Sequence, residues 1–505
     1  MDKYQRRNKS NLFIIIVFIV FSSHLAYASL KIEDEKKLGG EFYEKMEKSN
    51  IIYHNVRVDE YITKIGRQIV TKLNNPPFEY RFSVIKSTAI NAFATPGGYV
   101  YLNMGLINLA ENESELAGVL AHEIAHVSAR HIADIVDKST KINIASLAAI
   151  LAGAFLGKSG DITAAVASFS LATATTLNLK YSREHEEEAD RLGLTYLIKA
   201  GYDGNAMLDF LKIMRQYEFY SSNVPSYFLT HPGTDERIRY LDGLLQSRYT
   251  SGGSKSLFGQ FKRIQTLLLF ERKNYNENLQ FFQSALTKNN EDLDSLYGLA
   301  VSQDKLGLTA QSLETFQKAL KLAPDDTDIL RDLGLVYLKS GHPGEAIQCL
   351  RKTVQIEGND LLALSYLGKS YEADGNYLAA IHIYKQLIDK SITDVEVYYN
   401  LAFAYGKTNN PGESHYNFAI YFKKKGKSAS ALFHFKEAIK HFPPDSPLAK
   451  DIITQIKQQA VADINKETGR QEPDGSQPGP RGGRHYLSAG VTIPLLRNQD
   501  KFFPR

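Results

Sequence analysis

One cysteine, Cys349, stands in a chain of 505 residues, and tryptophan is absent altogether. A lone thiol cannot close an internal disulfide. It also excludes every site that needs several thiolates, such as a four-cysteine structural zinc or an iron–sulfur cluster. Any bound metal must then be held by His, Asp and Glu. Charge of one sign is scarce as well: the formal balance is +4, and Lys3, Arg6, Arg7 and Lys9 against Asp2 supply most of it. Without that segment the balance is about +1, which leaves no electrostatic footprint for nucleic acid. At roughly 100–200 residues per domain the length allows two to four domains. A composition with 43% hydrophobic and 23% charged residues excludes disorder throughout.

The N-terminal apolar run, Leu12 to Phe21, is too short for a bilayer core, which needs about 20 apolar residues, and Ser22, Ser23 and His24 interrupt it. Basic residues precede it and Ala26-Tyr27-Ala28 follows, so residues 1–28 read as a signal peptide cleaved after Ala28. No cysteine follows the run to carry a lipid. The mature protein is expected to be exported, into the periplasm if the source is Gram-negative.

Three regions follow. Residues 29–250 mix helix and strand patterns. The stretch Thr250-Ser251-Gly252-Gly253-Ser254 has the composition of a flexible linker, and residues 258–462 are helical and repetitive. Residues 465–505, rich in Gly, Pro, Gln and Arg, read as a disordered tail.

The repeat has a period of 34 residues. Leu296, Leu299, Ala300, Gly307, Phe316, Ala319 and Pro324 mark one unit, and Leu330, Leu333, Gly334, Gly341 and Leu350 the next. Leu364, Leu367, Gly368, Gly375 and Tyr384 mark a third, and Tyr398, Leu401, Ala402 and Tyr405 a fourth. Late in the array the phase slips, with Ala431, Phe435, Ala438 and Pro443 matching a second helix. Large residues at contact points, a small one where helices touch and a turn residue between them suit stacked helical hairpins. The pattern resembles tetratricopeptide repeats, with Leu or Tyr in place of the usual tryptophan. Such a solenoid offers a concave face to peptides. Tyr337, Tyr371, Tyr398, Tyr399 and Tyr405 either line that face or fill the core.

The chemistry is concentrated in Asn112 to Val127. Asn112 is placed to cap a helix, with Glu115 three residues on completing a capping box. Leu116, Val119 and Leu120 form its buried stripe. His122 and His126 lie one turn apart on one face, and Glu123, about 100° round from His122, can reach a water there without ligating. This is the H-E-x-x-H zinc pattern. The extended form with a third histidine fails at Ala129 and Ile132, and His131, rotated roughly 140° away, reads as structural or surface. The better third ligand is downstream. In Glu184-His185-Glu186-Glu187-Glu188-Ala189-Asp190, Glu186 and Asp190 share a face at i, i+4. Glu186 can then complete a His-His-Glu site while Asp190 bonds the far nitrogen of a ligating histidine. Glu184, Glu187 and Glu188 read as a solvated face.

His-Glu-Ile-Ala-His followed some 60 residues later by Glu186-x-x-Ala189-Asp190 resembles the zinc peptidases that include HtpX and the CAAX prenyl proteases. Asn91 to Tyr101 resembles that family's strand before the active-site helix. The resemblance implies an α+β zincin-like domain, mainly helical with a small sheet, followed here by an all-α repeat solenoid. It implies that His122, His126 and Glu186 ligate one Zn2+ and that Glu123 is the general base. His231, before Pro232, matches a further family histidine that can approach the metal. Three readings of it stay open: a fourth ligand that keeps the enzyme latent, a transition-state stabiliser, and a plain loop histidine.

A signal peptide, this domain and a repeat array together resemble envelope proteases that attend outer-membrane assembly. The expected partners are unfolded or misassembled proteins at the catalytic site and assembly machinery at the repeats. A scaffold with a largely latent metal site and an integral membrane protease are the competing functions. Uncharged runs at 142–157 and 162–179 are expected to form mobile amphipathic helices that cover the cleft or touch a membrane surface. Alternation through Gly98 to Asn103 suggests an edge strand that pairs with substrate backbone, or else a core strand.

Overall fold

The computed structural model describes residues 30–138, 181–221, 225–248, 252–390 and 394–468. The signal segment 1–28, the uncharged runs 142–157 and 162–179, and the tail beyond Thr468 lie outside the described residues. Two compact units divide at Arg272 and Lys273.

The first unit opens with α1 (Ile32–Lys48), β1 (Ile52–Tyr53) and α2 (Val56–Val70). Next come β2 (Arg81–Ile85), β3 (Ala92–Thr95), β4 (Tyr99–Asn103) and the short α3 (Met104–Leu109). The strands form one sheet in the order β1-β2-β4-β3, with β2 parallel to β4 and the other pairs antiparallel. Among the described residues β4 is thus an interior strand, and β1 and β3 are the edges. The alternation in Gly98 to Asn103 does not mark an edge, because Val100, Tyr101, Leu102 and Asn103 are all buried between two hydrogen-bonded neighbours.

Helix α4 (Glu113–Ser128) lies behind the sheet. Asn112 caps it, its side-chain oxygen accepting from the Glu115 N–H at 3.1 Å. The Glu115 carboxylate reaches back to the Glu111 N–H at 2.6 Å and the Asn112 amide at 2.7 Å, one residue further than a simple capping box requires. The helix is buried almost all round, which is the environment of a central helix. After α5 (His131–Lys138) and the undescribed stretch come α6 (Arg183–Lys199), α7 (Asn205–Ser221), α8 (Ser226–Thr230), α9 (Thr234–Arg248) and α10 (Phe261–Leu269). Helix α6 packs directly on α4. A Cβ on Gly193 would meet the Ala121 carbonyl and the His122 Cα at 3.1 Å, so glycine is what allows the acidic face of α6 to approach the two histidines.

The expected linker belongs to the first unit. Glu113, fully buried, accepts from the backbone N–H of Leu257 at 2.9 Å and of Phe258 at 3.1 Å, and from the Ser256 hydroxyl at 2.7 Å. The Gln265 amide donates to the Ile107 and Ala110 carbonyls. Ser256 to Phe258 are therefore strapped to the start of α4 and Gln265 to the end of α3, and the second compact unit begins at Lys273.

In the second unit, first helices begin at Leu293 (α12), Thr327 (α14), Leu361 (α16) and Glu396 (α18), ending at Lys305, Lys339, Ala373 and Lys407. Their partners α13 (Thr309–Leu322), α15 (Pro343–Ile356), α17 (Tyr377–Asp389) and α19 (Pro411–Lys424) alternate with them, α11 (Tyr275–Lys288) precedes, and α20 (Ser428–Ala438) and α21 (Pro447–Thr468) follow. Small residues sit at the crossings: a Cβ on Gly368 would fall 2.5 Å from the Tyr384 ring. Ala431, Phe435 and Ala438 close a core beneath α21. Of the five tyrosines considered for a concave face, Tyr399 is exposed, whereas Tyr337, Tyr371 and Tyr405 pack against the buried cluster.

Candidate metal centre

The buried face of α4 carries His122 and His126, α6 brings Glu186 and Asp190, and the residue ending α8 is His231. All five side chains are buried. Four of them converge: one donor atom each from His122, His126, Glu186 and His231 lie within 4.8 Å of one another. His126 Nε2 is 2.9 Å from His122 Nε2, and His231 Nδ1 is 3.3 Å from His122 Nε2 and 3.0 Å from Glu186 Oε1. Glu186 Oε1 is 3.5 Å from His126 Nε2. Four donors at zinc-like bond lengths stand about 3.3 Å apart in a tetrahedron, so these spacings fit a single small divalent ion.

A further layer orients these donors. The far nitrogen of His122, Nδ1, is 2.9 Å from Asp190 Oδ1, as the i, i+4 spacing suggests. Nδ1 of His126 meets Nδ1 of His131 at 2.8 Å. His131 is buried, its other nitrogen 3.4 Å from Glu188. It therefore stands against the back of a ligand-type histidine, a role the helical-wheel argument did not reveal, and Glu188 is drawn in with it. His231 is clasped by aromatic rings, with Tyr227 stacked at 4.2 Å and Tyr181 at 5.0 Å. Tyr181 also stacks on His126 at 3.8 Å.

Arg237, on α9, is the charged residue that sequence reasoning missed. It is buried and donates to both oxygens of Asp190 at 2.8 and 2.7 Å, and its Nη1 lies 2.7 Å from Glu186 Oε2. Its neighbours Asp235 and Glu236 make the segment read as solvent-facing, and no local pattern marks the arginine.

Electrostatics separate the carboxylates into two kinds. Burial opposes ionisation of Glu186, but His231, Arg237 and the hydrogen bond from His126 outweigh it and hold its pKa well below the usual range. Asp190 is likewise lowered, burial being overcome by Arg237 and His122. Glu123 is the opposite case. Burial raises its pKa, partly offset by His231 and His122, and neither carboxylate oxygen has a hydrogen-bond partner. His231 Nε2 stands 3.6 Å from it. An anion-holding pair beside a carboxylate poised to take a proton is the division of labour that hydrolytic sites use.

A two-histidine helix with a carboxylate from a second helix and a free glutamate beside the pair defines a metallopeptidase centre. Residues 57–245 match the family described as Peptidase family M48, and residues 297–360 and 331–395 match Tetratricopeptide repeat: the chain carries an M48 metallopeptidase domain followed by tetratricopeptide repeats. It is 36% identical over 216 residues to a putative beta-barrel assembly-enhancing protease of Vibrio cholerae, covering 42% of this chain and 44% of that protein. The beta-barrel assembly-enhancing protease of Escherichia coli K12 is 31% identical over 215 residues, with 42% and 44% covered. The mitochondrial metalloendopeptidase OMA1 of Schizosaccharomyces pombe is 27% identical over 235 residues, 46% of this chain and 66% of that one. The matched region spans less than half the length of the two bacterial relatives. Among the described residues no helix is long and apolar enough to cross a membrane.

Proposed function

We propose that this chain is a zinc-dependent endopeptidase of the cell envelope. It removes misfolded or misassembled periplasmic or outer-membrane proteins, and its repeats hold clients or assembly machinery. The observation that carries the reading is the unpartnered, buried Glu123 carboxylate beside four convergent donors. His122, His126 and Glu186 would hold the ion, which when bound supplies a Lewis acid for the scissile carbonyl and lowers the pKa of water. Glu123 takes a proton from the attacking water and returns it to the departing amine. Asp190 and His131 fix the rings of His122 and His126. An extended client pairs with the side of β3 left open among the described residues rather than with β4, so backbone is read more than side chains, which favours unfolded segments. Similarity to beta-barrel assembly-enhancing proteases supports export to the periplasm and an outer-membrane client.

A second reading has its own support. With His231 Nδ1 among the donors, four protein ligands would close the coordination sphere, as in structural rather than catalytic zinc sites. The resting chain is then latent, acting as a scaffold until α8 moves.

Metal analysis of the wild type beside Glu123→Gln and Glu186→Ala, with digestion of reduced casein, tests the proposal. Wild type and Glu123→Gln should each hold one zinc per chain, Glu186→Ala much less, and Glu123→Gln should lose cleavage by at least a hundredfold. Absence of stoichiometric metal, or full activity in Glu123→Gln, would overturn it.

A further inference from the structure

Tyr181 is 2% exposed, and its hydroxyl has no hydrogen-bond partner among the described residues. Leaving a buried hydroxyl unpaired is costly, so its placement calls for a function. The ring is fixed on both sides, by His126 at 3.8 Å and His231 at 5.0 Å. Its backbone N–H donates to the Thr230 carbonyl at 3.1 Å, which ties it to the residue before His231. A phenol keeps its proton throughout the neutral range, so the hydroxyl is available as a donor. A narrow hollow lies between this ring, His126, and Ala94 and Thr95 of the edge strand β3, and an extended backbone added along β3 would border it.

We infer that Tyr181 is a catalytic residue of the hydrolytic site, its hydroxyl donating a hydrogen bond to the substrate's carbonyl oxygen as that oxygen becomes negative. The inference rests on the peptidase reading above. As the water oxygen bonds to the scissile carbon, Glu123 accepts one of the water's protons and the carbonyl π pair moves onto its oxygen. Tyr181 stabilises that oxygen without giving up its proton. When the C–N bond breaks, the electron pair leaves with nitrogen, which takes the proton back from Glu123. A donor aimed at charge that develops only in the transition state raises kcat rather than substrate affinity.

Tyr181→Phe keeps the ring and removes the donor. It is to be compared with its parent in both the wild-type and the His231→Ala chains, so that latency cannot hide the effect. The expected result is a fall in casein turnover of about a hundredfold, with melting temperature, zinc content and KM unchanged. Affinity for a phosphinic peptide, whose charged oxygens mimic the tetrahedral species, should fall by a similar factor, and affinity for the cleaved product peptide should not. Turnover and phosphinate affinity within threefold of the parent would overturn the inference, as would equal losses for phosphinate and product. Inactivity of the parent chains together with absence of zinc would instead mark failure of the peptidase reading.

Discussion

Arg237 grips Asp190 through two hydrogen bonds, at 2.8 and 2.7 Å, and Asp190 stands 2.9 Å from the back of the His122 ring. A cation on α9 is thus connected, through a carboxylate on α6, to a donor on α4. Arg237→Ala leaves Asp190 and Glu186 as buried anions without their counter-charge, which costs about 3–5 kcal/mol. It also frees the His122 ring, with a loss of about 10–100-fold in metal affinity. Arg237→Lys should recover little of either, because an ammonium cannot span both oxygens of Asp190 while reaching Glu186. Thermal unfolding and zinc competition with a chelator measure the two effects separately.

Glu113 is the anchor at the other end of the same helix. Besides the segment 256–258, it accepts from the hydroxyls of Tyr61 at 2.9 Å and Tyr202 at 3.0 Å. Glu113→Ala strands several buried donors at once, and a loss of about 3 kcal/mol is expected. Because the residue is remote from the donors of the metal centre along α4, zinc stoichiometry at low temperature should be kept. Faster hydrogen exchange at Leu257 and Phe258 would report release of the strap, and unaltered exchange there would contradict this account.

The parts of the site set by helical period were legible in the sequence. His122 and His126 at i, i+4, and Glu186 with Asp190 at the same spacing, had to share faces whatever the tertiary fold. The 34-residue spacing of Leu296, Leu330 and Leu364 likewise fixed where repeat helices start. Contacts decided by chain folding were not legible. Arg237 sits among Asp235 and Glu236 and looks solvated until α9 is laid across α6. His131 was placed off the ligand face correctly, yet its bond to the back of His126 depends on the turn at Arg130, which takes a φ of 56°. Gly252 and Gly253 have linker composition, but the buried carboxylate of Glu113 captures the backbone N–H groups that follow them. The edge of the sheet was equally hidden, since one alternating strand looks the same in the middle as at the rim.

Asp59 gives the first unit a pH dependence independent of the metal centre. Burial raises its pKa to about 6, against about 3.9 in the unfolded chain. Between those values the native state holds a proton that the unfolded state has lost, so stability falls as pH rises from 4 to 6 and levels off above. Its carboxylate accepts from the Asn55 N–H at 3.2 Å, a bond Asn can keep. Asp59→Asn should therefore be more stable than wild type by about 2 kcal/mol at pH 7.5, with the gap closing near pH 4. Unfolding midpoints of both proteins across that range check it, and a gap that widens toward acid would reverse the sign.

On the latent reading, His231 would decide whether the resting enzyme is open. Its Nδ1 faces Glu186 and His122, its Nε2 faces Glu123, and Tyr227 and Tyr181 flank the ring. Held there, it both completes the donor set and crowds the base. Three protein donors suffice to keep zinc, since that is the number catalytic sites use. His231→Ala should therefore retain stoichiometric metal, vacate the place next to Glu123, and raise cleavage of reduced casein by about tenfold or more over wild type. If His231 instead supports the transition state, the same substitution lowers turnover with metal content equally intact. The direction of the change in rate, read beside zinc analysis, separates the two roles. A large loss of zinc would show instead that the fourth imidazole is needed to hold the ion.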